Sequence, residues 1–346
     1  MTIKNRLNQI LNLSFNKYRM ELMGFATIWI GLMHVFPELF PDVEIPIIGK
    51  IIERGNLGVE IFLFLSGYGL YCSLNKTNNV VLFYKKRANR ILGAWLILGS
   101  LYWIIFGILS KRIGITWLIY NASGLSFWGS GVTTIWYVSY IFIIYLLYPL
   151  VYIAQHKTSS SVLVIICGIV LINCTLSVVK SDIYSNIEIA ITRTPIFLIG
   201  SYIAQIHNSK QESTDKMLLI VWSYVLLTSF LFIISPILQD SNHNIAVMLY
   251  RYGGGGISII LLMMLTVVFQ KVNMNVPLVY YGKVSLEFYL ISVFIRNIVS
   301  LYVSEVTLTF FLCIIISLSI FFLSTIVANI CKRILDRIVF FNVTNN

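Results

Sequence analysis

The sequence predicts an all-α, polytopic integral membrane protein with about ten transmembrane helices and both termini in the cytoplasm. Composition is the first observation behind this reading. The 346 residues are 58% hydrophobic and only 11% charged, with a mean hydropathy of +0.84. A soluble globular chain carries roughly 25% charged residues, so this one cannot clothe itself in a polar surface. The second observation is spacing, because apolar runs of membrane-crossing length recur along the whole chain. The third is the placement of lysine and arginine, which fall almost entirely between those runs.

The spans are read at 20–36, 57–75, 91–109, 135–154, 161–179, 187–206, 217–235, 250–270, 284–303 and 307–331. The first two are the shortest. The third follows the basic stretch "FYKKRANRI", the fourth opens on "TIWYVSY", and the eighth opens on "GGGG" at 253–256. No Lys-Ser/Thr follows those glycines, so they are not a phosphate loop and read as close helix packing or a local break. The stretch 110–134, with "WLIYNASGLSFWGSG", is half apolar and reads as a re-entrant or interfacial segment on the outer side. With the N-terminus inside, 17 Lys and Arg fall on the cytoplasmic side and five on the outer side. That bias over short loops sets the orientation.

Three parts follow: a basic, amphipathic cytoplasmic segment (1–19), a ten-span membrane domain (20–331) and a cytoplasmic tail (332–346). The N-terminus has no continuous apolar core, so no cleavable signal peptide is expected. The net charge of +11 does not indicate nucleic acid, because its cations sit between apolar spans. The five cysteines lie in or beside apolar runs without metal or disulfide spacing.

Polar residues inside the spans carry the functional signal, because intramembrane ionisable groups are costly and usually mark a functional path. His34 closes the first span and Glu60 opens the second at similar depth, so the two can meet on antiparallel neighbours. A histidine takes a proton from a hydroxyl near neutral pH, and a carboxylate on its other ring nitrogen fixes the tautomer. The competing reading is a polar pair that joins two helices. Arg87 and Arg90, three residues apart before the third span, suit a phosphate group on one helix face. They equally suit a topology signal or anionic lipid. Trp136 and Tyr137 at the outer edge of the fourth span read as an aromatic belt or a sugar-stacking surface. Arg193 and Arg296 near outer ends either snorkel to headgroups or line a polar cavity.

"MHVF", "GVEIFLFLSGYGL", "FYKKRANRIL", "WYVSYIFIIYLLYPL", "RTPIFLIG" and "YYGKVSLEFYLISVFI" follow one another in this chain. In that order they resemble the acyltransferase 3 family of bacterial integral-membrane O-acyltransferases, over about residues 17–330. The resemblance implies an enzyme of the bacterial plasma membrane with no permanently bound cofactor and no metal. Its donor would be acetyl-CoA or another cytoplasmic acyl-CoA. The acceptor would be a hydroxyl of a surface polysaccharide or its lipid-linked precursor. The same resemblance makes His34 the catalytic histidine and Glu60 the acid of the second span. Arg87 and Arg90 become the basic motif before the third span, expected with Arg19 to hold coenzyme A. Trp136, Tyr137 and Arg193, from the residue reading, are expected on the acceptor side. The chain departs from the family pattern at Met23, where members carry Arg or Lys, and Arg19 one turn earlier is the expected substitute. Gly93 and Ala94 replace a common proline, Ser292 a histidine and Tyr140 an acid. No esterase-like domain is expected beside the spans. The alternative is a flippase or exporter of a lipid-linked glycan, although no repeated halves are visible.

Overall fold

A backbone surrounded by hydrocarbon must satisfy its own N–H and C=O groups, and a helix does so within one segment. The computed structural model describes residues 15–41, 45–112, 114–158, 160–208, 214–239, 243–272, 275–303, 309–338 and 340–341. Among these residues there is no strand. The expected amphipathic segment 1–19 falls largely outside them, since description begins with a turn over Phe15–Tyr18.

The helices are α1 Arg19–Val35, α2 Ile48–Glu53, α3 Leu57–Thr77, α4 Val80–Gly93, α5 Ser100–Leu109, α6 Ile115–Ala122, α7 Leu125–Ser130 and α8 Trp136–Lys157. They continue as α9 Ser161–Val179, α10 Ser181–Ile191, α11 Thr194–Asn208, α12 Thr214–Ile234, α13 His243–Lys271, α14 Asn275–Lys283, α15 Ser285–Val303 and α16 Phe310–Leu335. Nine helical segments among the described residues are long and apolar enough to cross a membrane. Helix α1, with 17 residues, reaches about 25 Å at 1.5 Å per residue and stands where the sequence reading places the first span. The stretch between the third and fourth spans does not cross. It folds as α6 and α7, joined by a left-handed Gly124 (φ 77°). Tyr120 and Ser130 then hydrogen-bond across the pair at 2.8 Å.

Small residues set how closely the core helices approach. A Cβ on Gly67 would lie 1.9 Å from the Phe197 carbonyl oxygen, and one on Gly200 would lie 2.1 Å from that of Phe64. Helices α3 and α11 therefore touch backbone to backbone, as small residues permit in membranes. The four glycines at 253–256 do not break α13, which runs unbroken through them. A Cβ on Gly253 would meet the Phe232 backbone nitrogen at 2.4 Å, and one on Gly256 would meet Thr228 Oγ1 at 2.3 Å. Close packing is thus their role, on α12 and, at Gly254, on Leu57 of α3.

Helix α4 is continuous with α5 through a π-helical turn, Ala94–Gly99. This turn stands where the sequence places Gly93 and Ala94 after the basic motif. Trp95 at that turn donates Nε1–H to the Ala122 carbonyl at 2.9 Å, tying the third span to α6. Helix α9 stands at the edge of the bundle, exposing Val164, Leu171, Ile172, Val178 and Val179, as a lipid-facing helix should.

Candidate active site

One cavity of about 680 Å³ runs along α1, with Arg19, Met20 and Met23 at one end and His34, Pro37 and Glu38 at the other. Its remaining walls come from α3, α4, α8, α15 and the α10–α11 junction. The arginine end faces the side that the charge bias assigns to the cytoplasm. From Arg19 to His34 the helix rises about 22 Å, so the cavity follows most of one crossing.

At the histidine end, Pro37 stops α1 and the chain turns back over Phe36–Leu39. The turn carries Glu38 beneath the imidazole, with Oε2 2.8 Å from His34 Nδ1. Arg296 of α15 reaches the same place. Its Nη1 lies 2.9 Å from His34 Nδ1 and also pairs with Glu38 Oε2. A proton on Nδ1, donated to Glu38, satisfies all three groups, since Arg296 then donates to the same carboxylate. Nε2 is left with a free lone pair on a ring that lines the cavity. Burial pushes the Glu38 carboxyl up, but hydrogen bonding and charge from His34, joined by Arg296, outweigh this and hold it below its ordinary value. The carboxylate is therefore ionised at neutral pH, as a partner for a transient imidazolium must be.

This arrangement corrects one expectation. The partner of His34 is Glu38, not Glu60. Glu60 is enclosed between α3 and α11, where Arg193 Nε donates to its Oε1 at 2.7 Å and both side chains are almost fully buried. Arg193 also donates from Nη1 to the Ile189 carbonyl at 2.9 Å. The Trp136 ring lies 5.3 Å from its guanidinium carbon. One face of Trp136 is thereby occupied from within the protein, while the ring also lines the cavity. A second pair, Arg251 and Glu188, joins α13 to α10 beside it, with Arg251 Nη2 donating at 2.8 Å. Tyr137 lines the cavity between the two ends with Ser66, Tyr145 and Tyr289.

The arginine end is built differently. Arg90 donates to Glu287 through Nη1 at 2.6 Å and Nη2 at 3.3 Å. Lys332 adds a second cation 3.8 Å from that buried carboxylate. Arg87 has no such carboxylate. Its guanidinium lies over the rings of Phe83 and Tyr145 at 5.7 and 5.8 Å. Among the described residues its buried Nε has no hydrogen-bond partner. Arg19 is in the same condition, with a buried, unpartnered Nε. Its guanidinium fills the space that Gly69 leaves, where a Cβ would come within 2.9 Å. The two guanidiniums are near enough to feel each other's charge. Two guanidiniums without a carboxylate partner among the described residues are suited to an anion. Of the expected pair, then, Arg87 keeps its fork free, Arg90 spends its own on Glu287, and Arg19 takes the second place.

Glu38, Glu188 and Glu287 were not among the expected site residues. Glu38 sits after a proline outside the apolar run, so it reads as an ordinary loop acid. Its one signal is the i,i+4 spacing from His34. Glu287 carried the stronger signal, being an acid inside an apolar span. No cluster of metal-ligating side chains occurs among the described residues.

The fold and this cavity define an integral membrane protein that encloses a chamber with His34 at one end and Arg19 and Arg87 toward the other. The chain belongs to the acyltransferase 3 family, whose model, described as an acyltransferase domain, matches residues 22–329. It is a polytopic membrane acyltransferase. Neither a curated protein nor a solved structure gives a match.

Proposed function

We propose that the protein takes an acetyl or other short acyl group from acyl-CoA entering at Arg19 and Arg87. It passes that group to a hydroxyl of a surface polysaccharide, or of its lipid-linked precursor, presented at His34. The carrying observation is the single cavity with unpaired guanidiniums at one end and a bare imidazole nitrogen at the other. Phosphates of coenzyme A suit the first end, and the pantetheine arm extends along the cavity toward the second. His34 Nε2 accepts the hydroxyl proton as the oxygen attacks the thioester carbonyl, and Glu38 stabilises the imidazolium. The C–S bond then breaks, and His34 returns the proton to the leaving sulfur. On this reading the membrane is that of a bacterial cell, with the arginine end facing the cytoplasm.

The test uses purified protein in proteoliposomes with acyl-labelled acyl-CoA. Label is expected in glycan from wild-type vesicles and not from His34→Ala vesicles. NMR of the surface polysaccharide from cells with and without the protein should show the corresponding acyl signals. Identical acyl content in both cell types would overturn the glycan assignment, and absence of label from acyl-CoA would overturn the donor.

A further inference from the structure

Arg296 stands in an unusual relation to His34, a cation aimed at the ring nitrogen that a carboxylate also claims. Its orientation is fixed from behind. Asn297 Oδ1 accepts from Arg296 Nε at 3.1 Å and from Nη2 at 2.8 Å. Asn297 Nδ2 in turn donates to the Tyr102 hydroxyl at 3.1 Å. Tyr102 is buried and stacked on Phe294 with ring centroids 4.1 Å apart. With Nε and Nη2 engaged, Nη1 is the nitrogen that meets both His34 Nδ1 and Glu38. The relay thus runs from α5 through α15 to the end of α1.

Nδ1 can hold a proton or accept one bond, not both. When it carries the proton it donates to Glu38, Arg296 donates to the same carboxylate, and Nε2 is bare. When Nδ1 is bare it accepts from Arg296, Nε2 carries the proton, and Glu38 loses a donor. A doubly protonated ring would face the guanidinium with like charge. We propose that Arg296, held by Asn297, is a positioning residue: its charge opposes a doubly protonated His34, and its bond to Glu38 holds that carboxylate on Nδ1, so that Nε2 faces the cavity as the base. This rests on the proposed role of His34 in acyl transfer. Glu38 stabilises the imidazolium formed during the reaction, and Arg296 limits that stabilisation so that the proton returns to the leaving sulfur. The other groups facing this corner are Tyr289 of α15, 6.5 Å from the His34 ring, and the cavity-lining Glu53 and Arg251. Arg251 is neutralised by Glu188.

The experiment reads His34 without using activity. Full-length protein in detergent is treated with diethyl pyrocarbonate across a pH series, and modification of the His34 peptide is followed by mass spectrometry. The reagent takes only the unprotonated ring. Arg296→Gln should raise the midpoint of modification by about one pH unit or more, because a nearby cation is gone. Glu38→Gln should lower it, because an anion is gone. Arg296→Lys keeps the charge, so its midpoint should stay near that of wild type. Acyl-transfer kinetics then complete the test: Arg296→Gln should lower kcat about tenfold or more with KM for acyl-CoA unchanged, and its acidic limb should move upward with the midpoint. An unmoved midpoint in Arg296→Gln overturns the proposal. So does a raised acceptor KM with unchanged kcat, which would make Arg296 a substrate ligand. If wild-type protein transfers nothing from acyl-CoA, the function reading fails, while the modification midpoints still decide the relay.

Discussion

The two ends of the cavity handle charge in opposite ways. Toward the histidine end three cations have an internal carboxylate: Arg296 with Glu38, Arg193 with Glu60, and Arg251 with Glu188. At the arginine end, Arg90 is paired with Glu287, yet Arg19 and Arg87 each keep a buried nitrogen without a partner among the described residues. Buried charge is expensive unless it is paired. The paired end is complete within the fold. On the proposed function it serves proton transfer, and the phosphates of the donor complete the other end.

Removing His34 should break this contrast most severely. His34→Ala is expected to abolish acyl transfer, measured as label reaching the acceptor, while the protein inserts at normal levels and still binds acyl-CoA. Binding lost together with transfer would mean that the two ends are not separable. Arg193→Met should come next in size. It strands Glu60 inside the bundle, and breaking a buried pair costs about 3–5 kcal/mol, read as a lower melting temperature in detergent. The double variant Glu60→Gln/Arg193→Met should recover part of that loss. No recovery would show that Arg193 acts through Trp136 and Ile189 instead of through the ion pair.

Arg19→Gln and Arg87→Gln test the open end. Each should lose about 1.5–3 kcal/mol of charge-assisted hydrogen bonding to phosphate. The pair of changes together should therefore weaken acyl-CoA affinity by more than about tenfold, measured by binding of labelled acyl-CoA. Melting should hold or rise, since two like charges are being removed. Arg90→Gln should behave in the reverse sense, lowering the melting temperature because Glu287 loses its bidentate partner. Equal affinity losses at all three positions would erase the distinction between paired and free guanidiniums.

The smallest effect concerns acid stability. The folded protein holds the Glu38 carboxyl below its ordinary value, so its contribution is present above that value. It is lost as pH falls through the lowered one. Wild-type protein should therefore lose melting temperature on acidification below about pH 4 more steeply than Glu38→Gln does. Parallel curves would show that Glu38 is not held by His34 and Arg296.

The class of fold was legible in the sequence because a membrane imposes one rule on every segment, namely enough apolar residues for a self-satisfied helix. Nine of the ten expected spans meet that rule outright in the structure, and α1, shorter and carrying Arg19, Glu21 and His34, does not. His34 and Arg193 were visible as polar residues in apolar company and Arg87 in a basic stretch before a span, and all three line the cavity. Partner choice was not visible. Glu60 and His34 open and close neighbouring spans at similar depth, and nothing in their spacing says that Glu60 turns to α11 while Glu38 folds back beneath the imidazole. That choice depends on backbone contact between α3 and α11 at Gly67 and Gly200, which brings Arg193 against Glu60, and on the Pro37 turn. A sequence determines the depth at which a charge sits, since depth is counted in residues along one helix. Which opposite charge meets it depends on helix rotation and neighbour order, and only tertiary packing decides those.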